Sequence, residues 1–440
     1  MLIGQSGKSI SYRLNFQLMR ILFLTQFFWP EQRTAPTNLA AMAADLKRNG
    51  HEVLVVTGFP NHPFGKVYEG YQMHLWQWDS YEGVPILRLP LYPDHSTGMR
   101  GRLLNYGSFA LSASILAAVP TLRFRPDVTF VYFAPLTIGG PAKWLQWFHR
   151  SPMVYWITDL WPENLRANGV HMNDRTYHTI RKVEDWGYRQ AQEICVDSPG
   201  FKSNLIEKGV APEKIHVVAE WADETLFFPV ERDEALAQRY DLNGKTNIIY
   251  GGNLGTVQGL DTVVETAKLL QDRTDVQFVF IGDGNDLDNL QAHVNSANLA
   301  NIKFIPRQPM QEIHRFFAIA DLLLVHLKKE PIFELQLPSK VIAYLACGRP
   351  ILCAVPGSAA KVVQDAKAGL CCPSEDPVSL AEMVRQFLQM PLAERAVLGQ
   401  NGRQAYLKNY TRQVQVKRLE AIFEYAIANQ EDRTKLAYEN

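Results

Sequence analysis

A chain of 440 residues is longer than one hydrophobic core usually serves, so two domains are expected, each able to bury its own interior. Hydrophobic residues make up 47% and charged residues 20%, a balance that fits a folded α/β enzyme and excludes a disordered or fibrous chain. Lys plus Arg and Asp plus Glu both number 45, which excludes a global field drawing the protein to nucleic acid; any anionic ligand must be held by local charge.

Residues 1–18 are mostly polar, with no apolar run long enough for a signal peptide, and are expected to be a disordered extension ahead of a natural start at Met19. From there, apolar runs of five or six residues alternate with longer amphipathic segments. Strands are predicted at 20–25, 53–57, 86–91, 127–133, 153–158, 193–197 and 215–219, with helices near 36–49, 102–119, 138–149, 175–191 and 200–208. This half, 19–228, reads as a parallel sheet covered on both faces. The polar stretch Glu231 to Lys245 breaks the rhythm, so a linker is expected over 229–246. A second series, 247–409, predicts strands from Asn247 and near 276–281, 301–305, 321–326, 350–354 and 369–372, again separated by helices. The tail is helical by pattern. Its last part, 410–440, carries Leu419, Ile422, Phe423 and Ala426 on one face and is expected to return to the first domain.

Two side issues follow from composition. The five cysteines, Cys195, Cys347, Cys353, Cys371 and Cys372, lack zinc-type spacing and read as free buried thiols of a reducing compartment. No window reaches the roughly 18 uninterrupted apolar residues that spanning a bilayer needs. The nearest, Ser108 to Val119, is preceded by Arg100 and Arg102 and followed by Arg123 and Arg125. It reads as a packed helix of the first domain, or as one that also touches an anionic membrane surface.

The densest chemical signal is the segment from Leu337 to Leu352. Pro338 suits the first turn of a helix, the free amides of a helix start favour a phosphate, and Lys340 adds a full positive charge beside them. Gly348 ends that helix and Pro350 opens a strand at once, the tight αβ connection of a doubly wound sheet. Two glycine-rich turns precede it. One runs Gly251-Gly252-Asn253-Leu254-Gly255 and the other Gly282-Asp283-Gly284, each leading from a strand to a helix and offering backbone amides with little obstruction. Such turns also exist merely to make the corner. Two doubly wound sheets facing each other would hold a ligand in the crevice at the carboxyl ends of their strands. On the other domain, Asp159 ends a strand and is a candidate to take a proton from an acceptor hydroxyl, with helix capping as its competing role. Glu31 and Arg33, in a loop at the same crevice, are candidates to meet the acceptor or a phosphate, with loop packing as the competing reading, and His62 is a candidate lining residue or part of a simple turn.

This ordered set resembles the family 4 glycosyltransferases of the GT-B fold over nearly the whole chain from Met19. The resemblance is carried by Gly50-His51-Glu52-Val53, Asp159-Leu160-Trp161-Pro162-Glu163, Ile281-Gly282-Asp283-Gly284 and, most specifically, Ala343-Tyr344-Leu345-Ala346-Cys347-Gly348-Arg349-Pro350. Within the family it looks most like bacterial surface-polysaccharide transferases, including those for N-acetylated deoxyhexoses such as N-acetylfucosamine. The resemblance implies two Rossmann-like domains across a cleft, a nucleotide-sugar donor on the second and a glycan or lipid-linked saccharide acceptor on the first. It also implies transfer with retention and without a metal or other cofactor, in the cytoplasm or on the inner membrane face. Carried over, Lys340 would neutralise the diphosphate, the glycine turns with Pro338 and Ser339 would approach it, and Arg307 would lie near the base or ribose. Glu330 and Glu334 lie upstream at spacings other than the family's glutamate pair; either is a candidate to contact the donor sugar, with a solvent-facing loop carboxylate as the competing reading. The chain departs from the family in having Asn253 and Gln258 where cations are common, and Ala343 where a carboxylate is common. Two other readings are an epimerase of the same fold, acting on a nucleotide sugar, and a non-catalytic transferase-like partner.

Overall fold

The computed structural model describes residues 18–31, 34–94, 99–167, 170 and 172–438, so the extension expected over 1–18 lies, but for Leu18, outside the described residues, as does Arg33. The chain divides into two compact units: the residues up to Tyr132 with Thr137–Met153 and those from Phe423 onward, and Phe133–Leu136 with Val154–Ile422.

In the first unit, strands β1 (Arg20–Leu24), β2 (Glu52–Gly58), β3 (Gln77–Tyr81), β4 (Val84–Leu89) and β5 (Val128–Tyr132) lie in the order β3-β4-β2-β1-β5. Its helices are α1 (Thr34–Arg48), α2 (Met99–Leu116), α3 (Ala118–Thr121) and α4 (Gly139–His149). All pairings are parallel except β3 with β4. That antiparallel edge strand was not anticipated. Its sequence, Gln-Trp-Asp-Ser-Tyr, has no apolar run, and it is joined to β4 by Glu82-Gly83, whose φ values of 46° and 78° match the primed turns that hairpins prefer.

The second unit opens with β6 (Met153–Ile157), β7 (Glu193–Val196) and β8 (Ile215–Val217), a parallel ladder whose connections hold α5 (Glu163–Ala167), α6 (Asp174–Gln190) and α7 (Pro199–Glu207). A six-stranded parallel sheet follows, with β9 (Thr246–Asn253), β10 (Val276–Asp283), β11 (Ile302–Ile305), β12 (Leu322–His326), β13 (Ile351–Ala354) and β14 (Gly369–Cys371) in the order β11-β10-β9-β12-β13-β14. Around it lie α8 (Glu234–Arg239), α9 (Asp261–Leu269), α10 (Leu287–Ser296), α11 (Ile313–Ile319), α12 (Pro331–Leu335), α13 (Ser339–Cys347), α14 (Ser358–Asp365), α15 (Pro377–Gln389) and α16 (Leu392–Asn409). Successive strand residues enter different cores: Ile249, Val279, Leu323 and Ile351 pack with α11, α13 and α14, whereas Ile248, Phe278, Leu322 and Leu352 pack with α9, α10 and α15. Period-two alternation between two apolar faces is what a sheet sandwiched by helices requires, and it explains the uninterrupted apolar runs.

The polar stretch read as a linker is folded. Asp233 caps α8 by accepting from the Leu236 amide at 2.9 Å, and Ala237 and Leu242 are wholly buried in one of the two cores. The last helix, α17 (Arg412–Tyr438), buries Leu419, Ile422, Phe423 and Ala426; Phe423 meets the Phe130 ring edge-on at 5.5 Å. All five cysteines are free thiols. Among the described residues no helix is long and apolar enough to cross a membrane.

Candidate functional site

The carboxyl ends of β9, β10 and β12 meet the start of α13, and most of the second-unit residues singled out from the sequence gather there. Pro338 is the residue just before the helix, with φ −57° and ψ 133°, so α13 begins at Ser339 and no side chain caps its first amides. Lys340, in that first turn, donates to the Tyr250 hydroxyl and lies 3.9 Å from the centre of that ring. The hydroxyl in turn donates to the Asn253 carbonyl at 2.9 Å. Burial lowers the Lys340 ammonium to about 7, because no carboxylate balances its desolvation. A half-buried cation beside free helix amides is suited to an anion.

The glycines in this region are needed for contact. A Cβ on Gly252, where φ is +133°, would sit 2.8 Å from the Lys340 Cε, and one on Gly251 would press the Phe317 ring at 2.5 Å. Gly282, at φ +155°, would clash with the Gly252 carbonyl at 1.8 Å, and Gly284 with the Leu254 carbonyl at 2.3 Å. The second glycine turn is thus packed against the first, which accounts for it without a ligand. Asp283 is exposed, and its carboxylate accepts from the Gly284 amide at 2.8 Å.

The two departures from the family pattern are bonded to each other. The Asn253 amide donates to Gln258 Oε1 at 3.3 Å, and the Gly255 N–H donates to the same oxygen at 3.1 Å. A neutral amide pair therefore braces the turn. Three features here were not found from the sequence. Tyr344 OH accepts from the Gly251 N–H at 3.2 Å. Buried His326 donates through Nδ1 to the Gln258 carbonyl at 2.6 Å and accepts at Nε2 from the Glu375 amide at 3.4 Å, so the ring is neutral, and burial lowers its pKa. Lys328 is exposed, its amide bonds the Val257 carbonyl at 3.0 Å, and its Cγ lies 3.1 Å from where a Gly259 Cβ would be. The Lys328 stem is thereby held beside Gly259 just after β12, and the Lys328-Lys329 pair was the only signal for it.

Asp159 stands at the end of β6, where Oδ1 accepts from Asn164 Nδ2 at 2.6 Å; Asn164 Oδ1 accepts from Gln336 Nε2 at 3.2 Å. The candidate base is so linked through one side chain to the segment that enters α13. The Leu335 carbonyl, one residue earlier, accepts from Ser198 Oγ at 2.6 Å and from Ser358 Oγ at 2.9 Å, joining α12 to the starts of α7 and α14. Burial, then the Glu220 and Asp159 charges, push Asp197 well up; burial, then Asp159, push Glu220 up to about 7. Glu330 and Glu334 are exposed, and so is Arg307 in the loop after β11. In the first unit, Glu31 is buried. Its Oε1 accepts from the Asn61 and His62 amides at 2.9 Å each, and burial raises its carboxyl to about 7, so it fastens a turn instead of lining open space.

Two doubly wound parallel sheets, the second ending in a cation-bearing glycine turn, define a GT-B-type α/β protein. Residues 35–221 match the family described as Glycosyl transferase 4-like domain, and residues 232–405 match Glycosyl transferases group 1; the chain belongs to the family 4 glycosyltransferases. The protein named "Probable glycosyltransferase WbjE" from Pseudomonas aeruginosa is 28% identical over 73% of this chain and 81% of its own length. WcaI of Escherichia coli K12, whose name assigns it to colanic acid biosynthesis, is 28% identical over 75% of this chain and 82% of its own. Among solved structures, Anabaena Alr3699/HepE in complex with UDP superposes with a TM-score of 0.69 at 16% identity, covering 92% of this chain and all of that one.

Proposed function

We propose that this chain is a retaining, metal-independent transferase that moves a hexosyl or N-acetylhexosaminyl unit from a nucleotide-diphosphate donor to a lipid-linked glycan during surface polysaccharide biosynthesis. The observation that carries the reading is Lys340 in the uncapped first turn of α13, pressed against Gly252. Breaking a sugar–phosphate bond builds negative charge on the departing diphosphate. Fixed cations and amides aimed at that charge stabilise the transition state more than the ground state. A uridine nucleotide is the first donor to test, since HepE was solved with UDP, and the names of WbjE and WcaI support a role in polysaccharide assembly. In this reading Asp159 takes the acceptor's proton, Arg307 meets the base or ribose and Glu334 the donor sugar. Lys328 adds charge that Asn253 and Gln258 lack.

A panel of nucleotide sugars should contain one that raises the melting temperature, because a ligand bound only by the folded state stabilises it. With that donor and an acceptor, Lys340→Ala should lower kcat by about a hundredfold or more with the fold intact. Normal turnover by the variant would remove the assignment. The anomeric configuration of the product, read by NMR, tests retention, and unchanged rate in EDTA tests metal independence. Isomerised donor formed without acceptor would instead support the epimerase.

A further inference from the structure

Helix α2 is built inside out on one side. Gly101, Asn105, Phe109 and Ala113 recur every four residues and are buried, as a packed helix requires. The opposite stripe is apolar as well. Leu104, Leu111 and Ile115 are 57%, 63% and 63% exposed, and Val119 of α3 and Leu122 just after it, at 69% and 49%, extend it. Beside α2 lies α4, which shows solvent two stacked indoles, Trp144 and Trp147, with ring centres 5.1 Å apart. Isolated exposed apolar residues are ordinary, but a continuous stripe of them marks a docking surface. Leu111 and Ile115 also wall a groove of about 310 Å³ with Pro90, Leu91 and Leu116, and the hydroxyls of Ser108 and Ser112, which line it too, are bonded to the backbone, so the space suits a hydrocarbon chain.

Charge identifies the occupant. No carboxylate occurs between Asp94 and Asp127, and none within α4, while Arg100, Arg102, Arg123 and Arg125 stand exposed at the two ends of the stripe. Asp127 is already paired with Arg20 at 2.8 Å. An apolar band bracketed by four arginines, with the Asp94 carboxylate against Gly101 at its head, keeps a positive excess and is complementary to a bilayer with anionic headgroups: the side chains enter the acyl region and the guanidiniums meet phosphates.

We infer that α2, with α3 and α4, is the surface on which this protein rests on an anionic membrane, its groove receiving an acyl chain. The inference rests on the lipid-linked acceptor proposed above and specifies where such an acceptor is met. The purified protein should sediment with vesicles of phosphatidylglycerol and phosphatidylcholine and stay in solution with pure phosphatidylcholine. Arg102→Gln with Arg123→Gln should weaken sedimentation roughly thirtyfold, from about fivefold per charge. Leu111→Asn with Ile115→Asn should weaken it as well; if that pair lowers the melting temperature without vesicles, the arginine pair alone decides. Equal sedimentation with both vesicle types, or no change in the arginine variant, overturns the inference. Thermal stabilisation by UDP, read on the same samples, separates the two proposals. Lost vesicle binding with UDP stabilisation retained leaves the transferase standing, and charge-dependent vesicle binding without stabilisation by any nucleotide leaves only the docking surface.

Discussion

At the scale of single residues the most informative group is Lys340. Held near 7 by burial, its ammonium loses its proton in much of the free protein once the pH rises above that value. A diphosphate arriving beside it would favour the charged form and pull the value up. Nucleoside diphosphate binding is therefore expected to take up protons above pH ~7, approaching about one per site. Calorimetry in buffers of different ionisation enthalpy measures this, and Lys340→Met should abolish it; binding with no proton uptake in the wild type would show that the ammonium is already charged. Asn253 and Gln258 illustrate why residue identity alone misleads. Read along the chain they are two missing cations, whereas in space they are one hydrogen-bonded brace, with Lys328 arriving from another strand.

At the scale of elements, the close approach of α12 to the loop before α14 governs where Glu334 and Gln336 stand. Gly357, at φ +77°, passes so near α12 that a Cβ would fall 2.0 Å from the Glu334 carbonyl oxygen. Neither the helix nor the loop can absorb this without moving backbone. Gly357→Ala is expected to destabilise the protein by about 2–4 kcal/mol and to weaken nucleotide binding with it. A denaturation midpoint equal to that of the wild type would mean that the contact is looser than described. Such contacts explain the division between what the sequence discloses and what it hides. The strands were legible because both their faces are buried, which leaves a run such as Ile248-Ile249-Tyr250 with no polar interruption. Lys340 and the glycine turns were legible because helix starts and corners have local rules. β3 was hidden by its polar composition, α12 by its five-residue length, and the ties of Tyr250, His326 and Asn164 by the long chain separations they bridge.

At the scale of the whole molecule, buried carboxyls set how stability depends on pH. Glu31 and Glu220 are raised from 4.5 to about 7, and Asp197 is raised well above its ordinary value. The folded state therefore binds more protons than the unfolded one between these values. The stability that Glu31 and Glu220 contribute is fully present below about 4.5 and is lost as pH climbs through about 7, and Asp197 adds a loss of the same sign. Lys340 is depressed and acts with the opposite sign, only above about 7. Melting temperature across this window should fall, and Glu31→Gln, which keeps the oxygen that receives the Asn61 and His62 amides, should flatten the fall and add about 1–3 kcal/mol above it. A variant that tracks the wild type at every pH would refute this. His326 has a different kind of consequence. Its imidazole grips only main-chain atoms, the carbonyl of Gln258 and the amide of Glu375, so the side chains at those two positions are spectators to the grip. That leaves the Gln258 side chain to hold Asn253 and Gly255 and the Glu375 carboxylate to hold the Lys329 amide, so each position serves two neighbours at once and an exchange at either would redraw the turn that His326 anchors.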